Sequence, residues 1–431
     1  MNSLRTSLAV VVVLAVLLSG HAPVRAATNA VTDWNLIAVT TLIGLPGPSG
    51  GAPPAAQIHM GMVQGAVYDA VNATQPKHYR PLLLNRRFSS VASQEAAVAT
   101  AAYGVLSHIV SSVPSMTDAA RATLLSSLSA QYNTYVGAIP NSPFKNQGIA
   151  AGNAAADAMI AARQNDGRFG PSQWVPNSAV GHWQPLPGEV DPTPWVGGVR
   201  PFLMQSSSQF RTEGPLDLES ADYAEEFNEV MAVGSATATP PTRTAEQEHI
   251  ARFWQSTPVR TWNEVTRTLV ATRDVSLADS ARLLAMQNLA AADAAINCWN
   301  DKYFWDFWRP VNAIRSLADD GNPATVADPT WTPLFNAPYP DHPSGHLCLD
   351  GSHLGVMEAF FGTDAISFGV TSIPFPGEVR PFNSFSQALD EIVEARIWAG
   401  LHFRTADEQA RDLGANVADY AVTNYFQSVG H

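Results

Sequence analysis

Lys302 and Arg309 stand seven residues apart in the run Lys302-Tyr303-Phe304-Trp305-Asp306-Phe307-Trp308-Arg309-Pro310. On a helix that spacing puts two cations on nearly one face, two turns apart, with Pro310 ending or kinking the helix. Aromatic residues fill the space between them. Two cations on a buried aromatic face need an anionic partner, because an unpaired buried charge is costly. A second stretch, Pro343-Ser344-Gly345-His346, precedes the apolar run Leu347 to Phe361 and the stop residue Gly362. The pattern predicts a helix with Ser344 at its start, where free backbone N–H groups and the positive dipole end suit phosphate-like anions. Gly345 allows close approach, and His346 in the first turn can donate or take a proton. In a third stretch, Leu389, Ile392 and Val393 form an apolar stripe and Arg396 is the next residue on it, so an arginine is aimed inward. Gly400 predicts the end of that helix, and Thr405 with Glu408 predicts the start of the next. His402 falls in the tight loop between them, with Asp407 shortly after. One lysine, two arginines, a helix start bearing a serine, and two histidines make a cage for a tetrahedral oxyanion. His342, His346 and His353 could be read instead as a zinc set. Pro343 and Gly345 break the helical spacing that set would need, and no paired-cysteine or His-Glu-x-x-His pattern supports it.

The elements that must hold this cage read as helical almost throughout, and the fold class expected is all-α, a helical bundle. Pro53 to Asn72, Ser93 to Val110 and Gln147 to Arg163 carry apolar stripes at helical spacing. The long Gly-, Pro- and Trp-rich segment 165–210 interrupts them, and such irregular segments often serve as functional covers. Gly234 to Thr242, with Pro240-Pro241, is a plausible boundary. The expected organisation is a signal segment at 1–26, an N-terminal helical region at 27–240 and a C-terminal helical catalytic region at 241–431. Beyond the boundary, Thr244 with Gln247 and Ser384 with Gln387 have the capping-box pattern. Sustained strand-type alternation is scarce.

Composition limits the partners. The chain has 431 residues and a formal net charge of -13. Met1 to Ala26 has an early arginine, the apolar run Leu8 to Leu18 and small or aliphatic residues at Val24-Arg25-Ala26, the pattern of a secretory signal peptide. The run is short for a bilayer span. Removing it takes away Arg5 and Arg25 and no acid, which brings the net charge from -13 to -15. The only lysines are Lys77, Lys145 and Lys302. Such a chain is a poor partner for nucleic acid or an anionic membrane surface. The protein is therefore expected to be exported, secreted or periplasmic, with no membrane attachment after signal removal. Apolar residues at 46% and charged residues at 15% supply a large core and argue against disorder. Cys298 and Cys348 in an oxidising compartment either pair or remain buried thiols. The sequence admits a homo-oligomer.

The order Lys302-x6-Arg309-Pro310, Pro343-Ser344-Gly345-His346 and Arg396-x5-His402 resembles the vanadium-dependent haloperoxidase and type 2 phosphatidic acid phosphatase superfamily, with the look of its bacterial haloperoxidase-like members. The resemblance covers roughly Lys302 to Asp407. It implies that Lys302, Arg309, Arg396, Ser344 and the Gly345 amide hold oxygens of vanadate or phosphate. It implies that His402 is the axial vanadium ligand, or the phosphatase nucleophile, and that His346 is the acid–base residue. Lys302 would polarise bound peroxide. There are two departures. Ala395 stands where the pattern has a serine before the arginine. Ala406 stands where it has an aspartate four residues after the histidine, Asp407 being one further on, which puts in question whether Asp407 orients His402. The implied activity is a vanadate-dependent haloperoxidase that takes hydrogen peroxide and halide to a hypohalous acid equivalent, with a small organic acceptor as a further substrate. The alternative is a soluble exported acid phosphatase working through a phosphohistidine in the same cage. The Phe307-Trp308-Arg309-Pro310 and His402-Phe403-Arg404 runs favour the first.

Overall fold

The helices expected from spacing and caps form, and they build one layered bundle. The computed structural model describes residues 29–429 except 48, 76–78, 172–173 and 239–241. The signal segment, Lys77 and Pro240-Pro241 lie outside the described residues. The first group of helices is α1 (Ala30–Ile43), α2 (Pro53–Ala73), α3 (Gln94–Ser112), α4 (Asp118–Ala138) and α5 (Pro143–Ala162). After the irregular segment come α6 (Ala221–Val233), α7 (Ala245–Phe253), α8 (Pro258–Thr272), α9 (Leu277–Trp305) and α10 (Pro310–Arg315). The chain ends in α11 (Gly345–Phe361), the hairpin strands β1 (Phe368–Thr371) and β2 (Val379–Phe382), α12 (Phe385–Trp398) and α13 (Arg404–Asn424). The all-α expectation holds. The antiparallel hairpin pairs Phe368 with Phe382 and escaped notice because four-residue strands are too short to show alternation.

The long α9 is the axis. It packs lengthwise on α2 from the N-terminal part and on α11 and α13 from the C-terminal part. Side chains of α2, α8, α9, α11 and α13 share one apolar core that includes Ile58, Trp262, Leu289, Leu347 and Leu413. Among the described residues no helix is long and apolar enough to cross a membrane.

Local signals mostly act as expected. Thr244 and Gln247 form a reciprocal capping box. Ser384 accepts from the Gln387 amide, while the Gln387 side chain accepts from Asn383 rather than closing the box. Gly362 ends α11 in the left-handed conformation (φ 73). Gly400 does the same after α12, at φ 72, where an added Cβ would meet the Gly234 carbonyl oxygen at 2.8 Å. A side chain there would be strained on both counts.

Two expectations are corrected. Lys302 and Arg309 do not share a helix. α9 stops at Trp305, Asp306 takes a left-handed conformation (φ 50), and Pro310 opens α10 instead of ending the earlier helix. Asp306 is fixed from a distance: its carboxylate accepts from Trp174 Nε1 at 2.8 Å and lies 2.9 Å from His182 Nδ1. The second correction concerns Thr405 and Glu408. α13 begins at Arg404, and the Thr405 amide and hydroxyl donate to Glu226 of α6, so the cap comes from another helix.

Among its described residues, the segment 165–210 holds only a short 3-10 turn at Val196–Gly198. It is sewn to α9 by backbone amides. Asp293 accepts from Phe202, Leu203 and Met204 at 2.6, 2.7 and 2.8 Å. Cys298 and Cys348 are both buried free thiols.

Candidate active site

The three sequence stretches meet at the floor of a cleft of about 250 Å³, whose lining includes Trp299, Tyr339, Gly345, His346, Arg396 and Leu401. Lys302, Arg309 and Ser344 are fully buried below it, with His402 at 2% and Arg396 at 5% exposure. Solvent-seeking surface cations are thereby excluded. The helix break at Asp306 is what brings Arg309 round to the same floor as Lys302.

Each cation is held differently. The Lys302 ammonium donates to the carbonyls of Pro340, Asp341 and Pro343 at 2.9, 3.0 and 2.5 Å. Its Nζ also lies 5.2 Å from the Tyr339 ring centroid. An ammonium has three protons, so Lys302 fixes the 340–343 loop and acts on the cleft through its field. Binding an oxyanion directly would require it to release one carbonyl. Burial lowers its pKa to about 8, with Arg309 the next contributor acting in that direction. Arg309 donates Nε to Tyr339 O and Nη1 to Leu401 O, at 2.6 and 2.8 Å, and leaves Nη2 without a partner. Arg396 keeps Nε and Nη1 buried and without partners. Buried guanidinium N–H groups left open in this way are donors awaiting an acceptor. Burial lowers the Arg396 pKa, and the nearest opposing charge is Asp407.

Ser344 caps α11 by position but not by its side chain, so its hydroxyl is free of the helix. The start of α11 is pinned by the Ser344 amide donating to Ala406 O at 2.8 Å. An ideal Cβ on Gly345 would lie 2.9 Å from the Trp299 ring. Glycine therefore lets the helix start press against the cleft wall.

The two histidines have separate tasks set by their partners. His346 Nε2 lies 3.3 Å from the Ser256 carbonyl oxygen. A carbonyl can only accept, so Nε2 carries the proton and Nδ1 is left as a base. His402 Nδ1 lies 2.7 Å from Asp341 Oδ1, close but off hydrogen-bond alignment. That carboxylate favours a proton on Nδ1 and leaves Nε2 as a free lone pair. Burial lowers the pKa of His402 well below the usual value, helped by Arg309, Lys302 and Arg396, so the ring is neutral. His346 is lowered too, by burial first and Arg396 second.

The expected orienting residue, Asp407, is fully buried at the start of α13. Its neighbours are the Ser344 hydroxyl and Arg396, which pull its pKa down against a larger upward push from burial. Among the described residues the carboxylate beside the His402 ring is Asp341. Burial moves Asp341 up to about 7 against the pull of Arg309 and Lys302. Sequence reading passed over Asp341. An acid between Pro340 and Pro343, within reach of two cationic motifs, was the available signal.

Four further residues bear on the site. Asp350, one turn into α11 from His346, accepts from Trp262 Nε1 at 2.6 Å and flanks Arg396. Trp299 forms the cleft wall and donates to Thr193 Oγ1 at 3.0 Å. Thr193 and the nearby Asp191 lie in the 165–210 segment, and the Asp191 carboxyl is raised by burial to about 6 while Lys302 and Arg309 pull it down. The irregular segment thus reaches the edge of the cage. Among the described residues no group of three or more His, Cys, Asp and Glu side chains is placed to hold a metal cation.

Comparison with known proteins bears on the fold. Residues 282–430 match the family model described as VCPO second helical-bundle domain. A vanadium chloroperoxidase of Curvularia inaequalis is 28% identical over 200 residues, 37% of this chain and 32% of that protein. The match thus spans about a third of that relative's length. Among solved structures, that of the first bacterial vanadium-dependent iodoperoxidase superposes with a TM-score of 0.75 at 24% identity, covering 94% of this chain and 99% of the other. A holo-type bacterial vanadium-dependent chloroperoxidase gives a TM-score of 0.67 at 18% identity, covering 88% and 93%. The chain has the fold of these solved vanadium haloperoxidase structures, and residues 282–430 match the model of the second helical-bundle domain.

Proposed function

We propose that this chain, which shares the fold of the vanadium haloperoxidases and matches their second helical-bundle model over residues 282–430, is a vanadate-dependent haloperoxidase that oxidises halide with hydrogen peroxide. One observation carries the reading. Buried, partnerless N–H groups of Arg309 and Arg396 lie with the buried His402 ring, whose Nδ1 is turned to Asp341, leaving Nε2 as the nitrogen for a ligand. That donor set fits a tetrahedral oxyanion of a metal able to accept a nitrogen ligand. Arg309, Arg396, Ser344 and the Gly345 amide would hold the oxygens, Lys302 would add its field, and His402 Nε2 would supply a nitrogen ligand.

When bound, vanadate supplies a Lewis-acidic centre that activates hydrogen peroxide toward a halide without changing its own oxidation state. The protein's part is electrostatic and prototropic. The guanidinium groups neutralise the oxyanion in a site shut off from bulk water, where such charges act strongly. The net reaction, peroxide plus halide plus one proton giving hypohalous acid and water, takes up a proton. His346 lines the cleft and is the base that would receive and pass it. The cleft of about 250 Å³ admits peroxide and halide and has room for a small organic acceptor. The segment 1–26 supports export of the protein, which N-terminal sequencing of secreted material checks.

The test is reconstitution. Metal-free protein loaded with vanadate should oxidise bromide or iodide with hydrogen peroxide and should lose that activity to excess phosphate. Absence of halide oxidation, together with metal-independent cleavage of a phosphomonoester, would establish the acid phosphatase instead.

A further inference from the structure

We infer that Asp341 is the positioning residue for the His402 ring, filling the place left empty by Ala406. The superfamily pattern puts an aspartate four residues after the histidine, on the helix that follows it. Here that helix offers only a methyl group, and the carboxylate arrives from the loop before Ser344. This rests on the haloperoxidase reading above, which gives His402 Nε2 its task.

Four observations support the exchange. Asp341 is fully buried, and its Oδ1 lies 2.7 Å from His402 Nδ1. The Phe403 amide, next in chain to His402, donates to Asp341 Oδ2 at 3.4 Å, so both carboxylate oxygens serve the same loop. The backbone of Asp341 is fixed independently. Its amide donates to Phe307 O at 2.9 Å and its carbonyl accepts from Lys302. Finally, Ala406 and Asp341 line one small cavity of about 10 Å³ together with Phe307, His342 and Phe403. The two positions therefore compete for one space, and a carboxylate can enter it from either side. Arg309 Nη1, 3.8 Å from Asp341 Oδ1, is the nearest cation to the pair.

The exchange explains why α13 can start with Ala406 and Asp407. Asp407 serves Ser344 and Arg396, while the orienting carboxylate is carried by the loop that Lys302 clamps. A single loop then connects Lys302 to His402.

The experiment compares two anions on the metal-free full-length protein by titration calorimetry. Vanadate would take His402 as a nitrogen ligand, whereas inorganic phosphate would be held by the cage alone. Asp341→Ala should weaken vanadate binding by about 10- to 100-fold, the range seen when an outer partner of a metal ligand is removed. Phosphate binding should stay within about threefold. Asp341→Ala with Ala406→Asp should regain most of the lost vanadate affinity. Asp341→Asn, which preserves volume, carries the test should the alanine variant fail to fold, with the same selective loss expected. Equal weakening of both anions, or no weakening of vanadate, overturns the inference. If the unaltered protein binds vanadate no better than phosphate, the haloperoxidase reading fails instead. Nitrogen NMR of the His402 ring still decides the inference in that case. Loss of the Nδ1–H tautomer in Asp341→Asn supports it, and an unchanged tautomer rejects it.

Discussion

His402→Ala should abolish vanadate-dependent halide oxidation, lowering kcat/KM by at least about a hundredfold. Loss of a direct ligand must exceed the 10- to 100-fold typical of losing an outer partner. His402 sits between the end of α12 and the start of α13, held by the left-handed Gly400 on one side and Asp341 on the other. Its Nε2 is the uncharged donor among the cations of the cage. Without it, the guanidinium groups should still hold an oxyanion, so phosphate affinity should change little. A protein that merely stores phosphate would have no turnover to lose, so steady-state kinetics and calorimetry on one variant separate enzyme from binder. Removing the ring also leaves Asp341 without its neighbour, at a cost of about 1–3 kcal/mol in stability, which thermal unfolding will register without loss of the fold.

Arg396→Met should weaken vanadate and phosphate alike, by about 10²- to 10⁴-fold. Two buried N–H groups of Arg396 have no partner in the protein. Each charge-assisted hydrogen bond to an oxyanion contributes about 1.5–3 kcal/mol. Methionine keeps the length and apolar contacts of the side chain, and circular dichroism should show the helices unchanged. The contrast with His402→Ala is the informative part: an arginine loss reduces affinity for both anions, while a histidine loss separates them. A fall confined to vanadate would mean that Arg396 contacts the metal-specific part of the site rather than the oxygens.

Much of the site was legible in the sequence because its residues come in three short motifs with fixed local geometry. Ser344 and Gly362 mark the ends of α11, and Gly400 marks the turn into His402; each acts through backbone conformation that sequence specifies nearby. What could not be read depends on distant partners. The end of α9 at Trp305 is set by a left-handed aspartate that His182 and Trp174 hold from more than a hundred residues earlier. The α13 cap comes from Glu226. Lys302 gives its protons to carbonyls of a loop nearly forty residues later, which no periodicity announces. Asp341 was hidden for the same reason. Its function lies in a contact with a residue 61 positions on, while the motif itself pointed to Ala406 and Asp407.

The acidic chain and its basic site coexist by separation. The net charge of -13 belongs to the whole chain, whereas Lys302, Arg309 and Arg396 are withdrawn from solvent. Low dielectric strengthens their pull on an anion, and the helix start at Ser344 and Gly345 adds to it. A chain that is acidic overall can then hold an oxyanion within.

The most direct test of the central claim is a crystal of vanadate-loaded protein, with elemental analysis of the same sample. The account predicts vanadium bonded to His402 Nε2, with its oxygens on Arg309, Arg396, Ser344 and the Gly345 amide. Phosphate alone at that position with no vanadium retained, or vanadium bound away from His402, would contradict it.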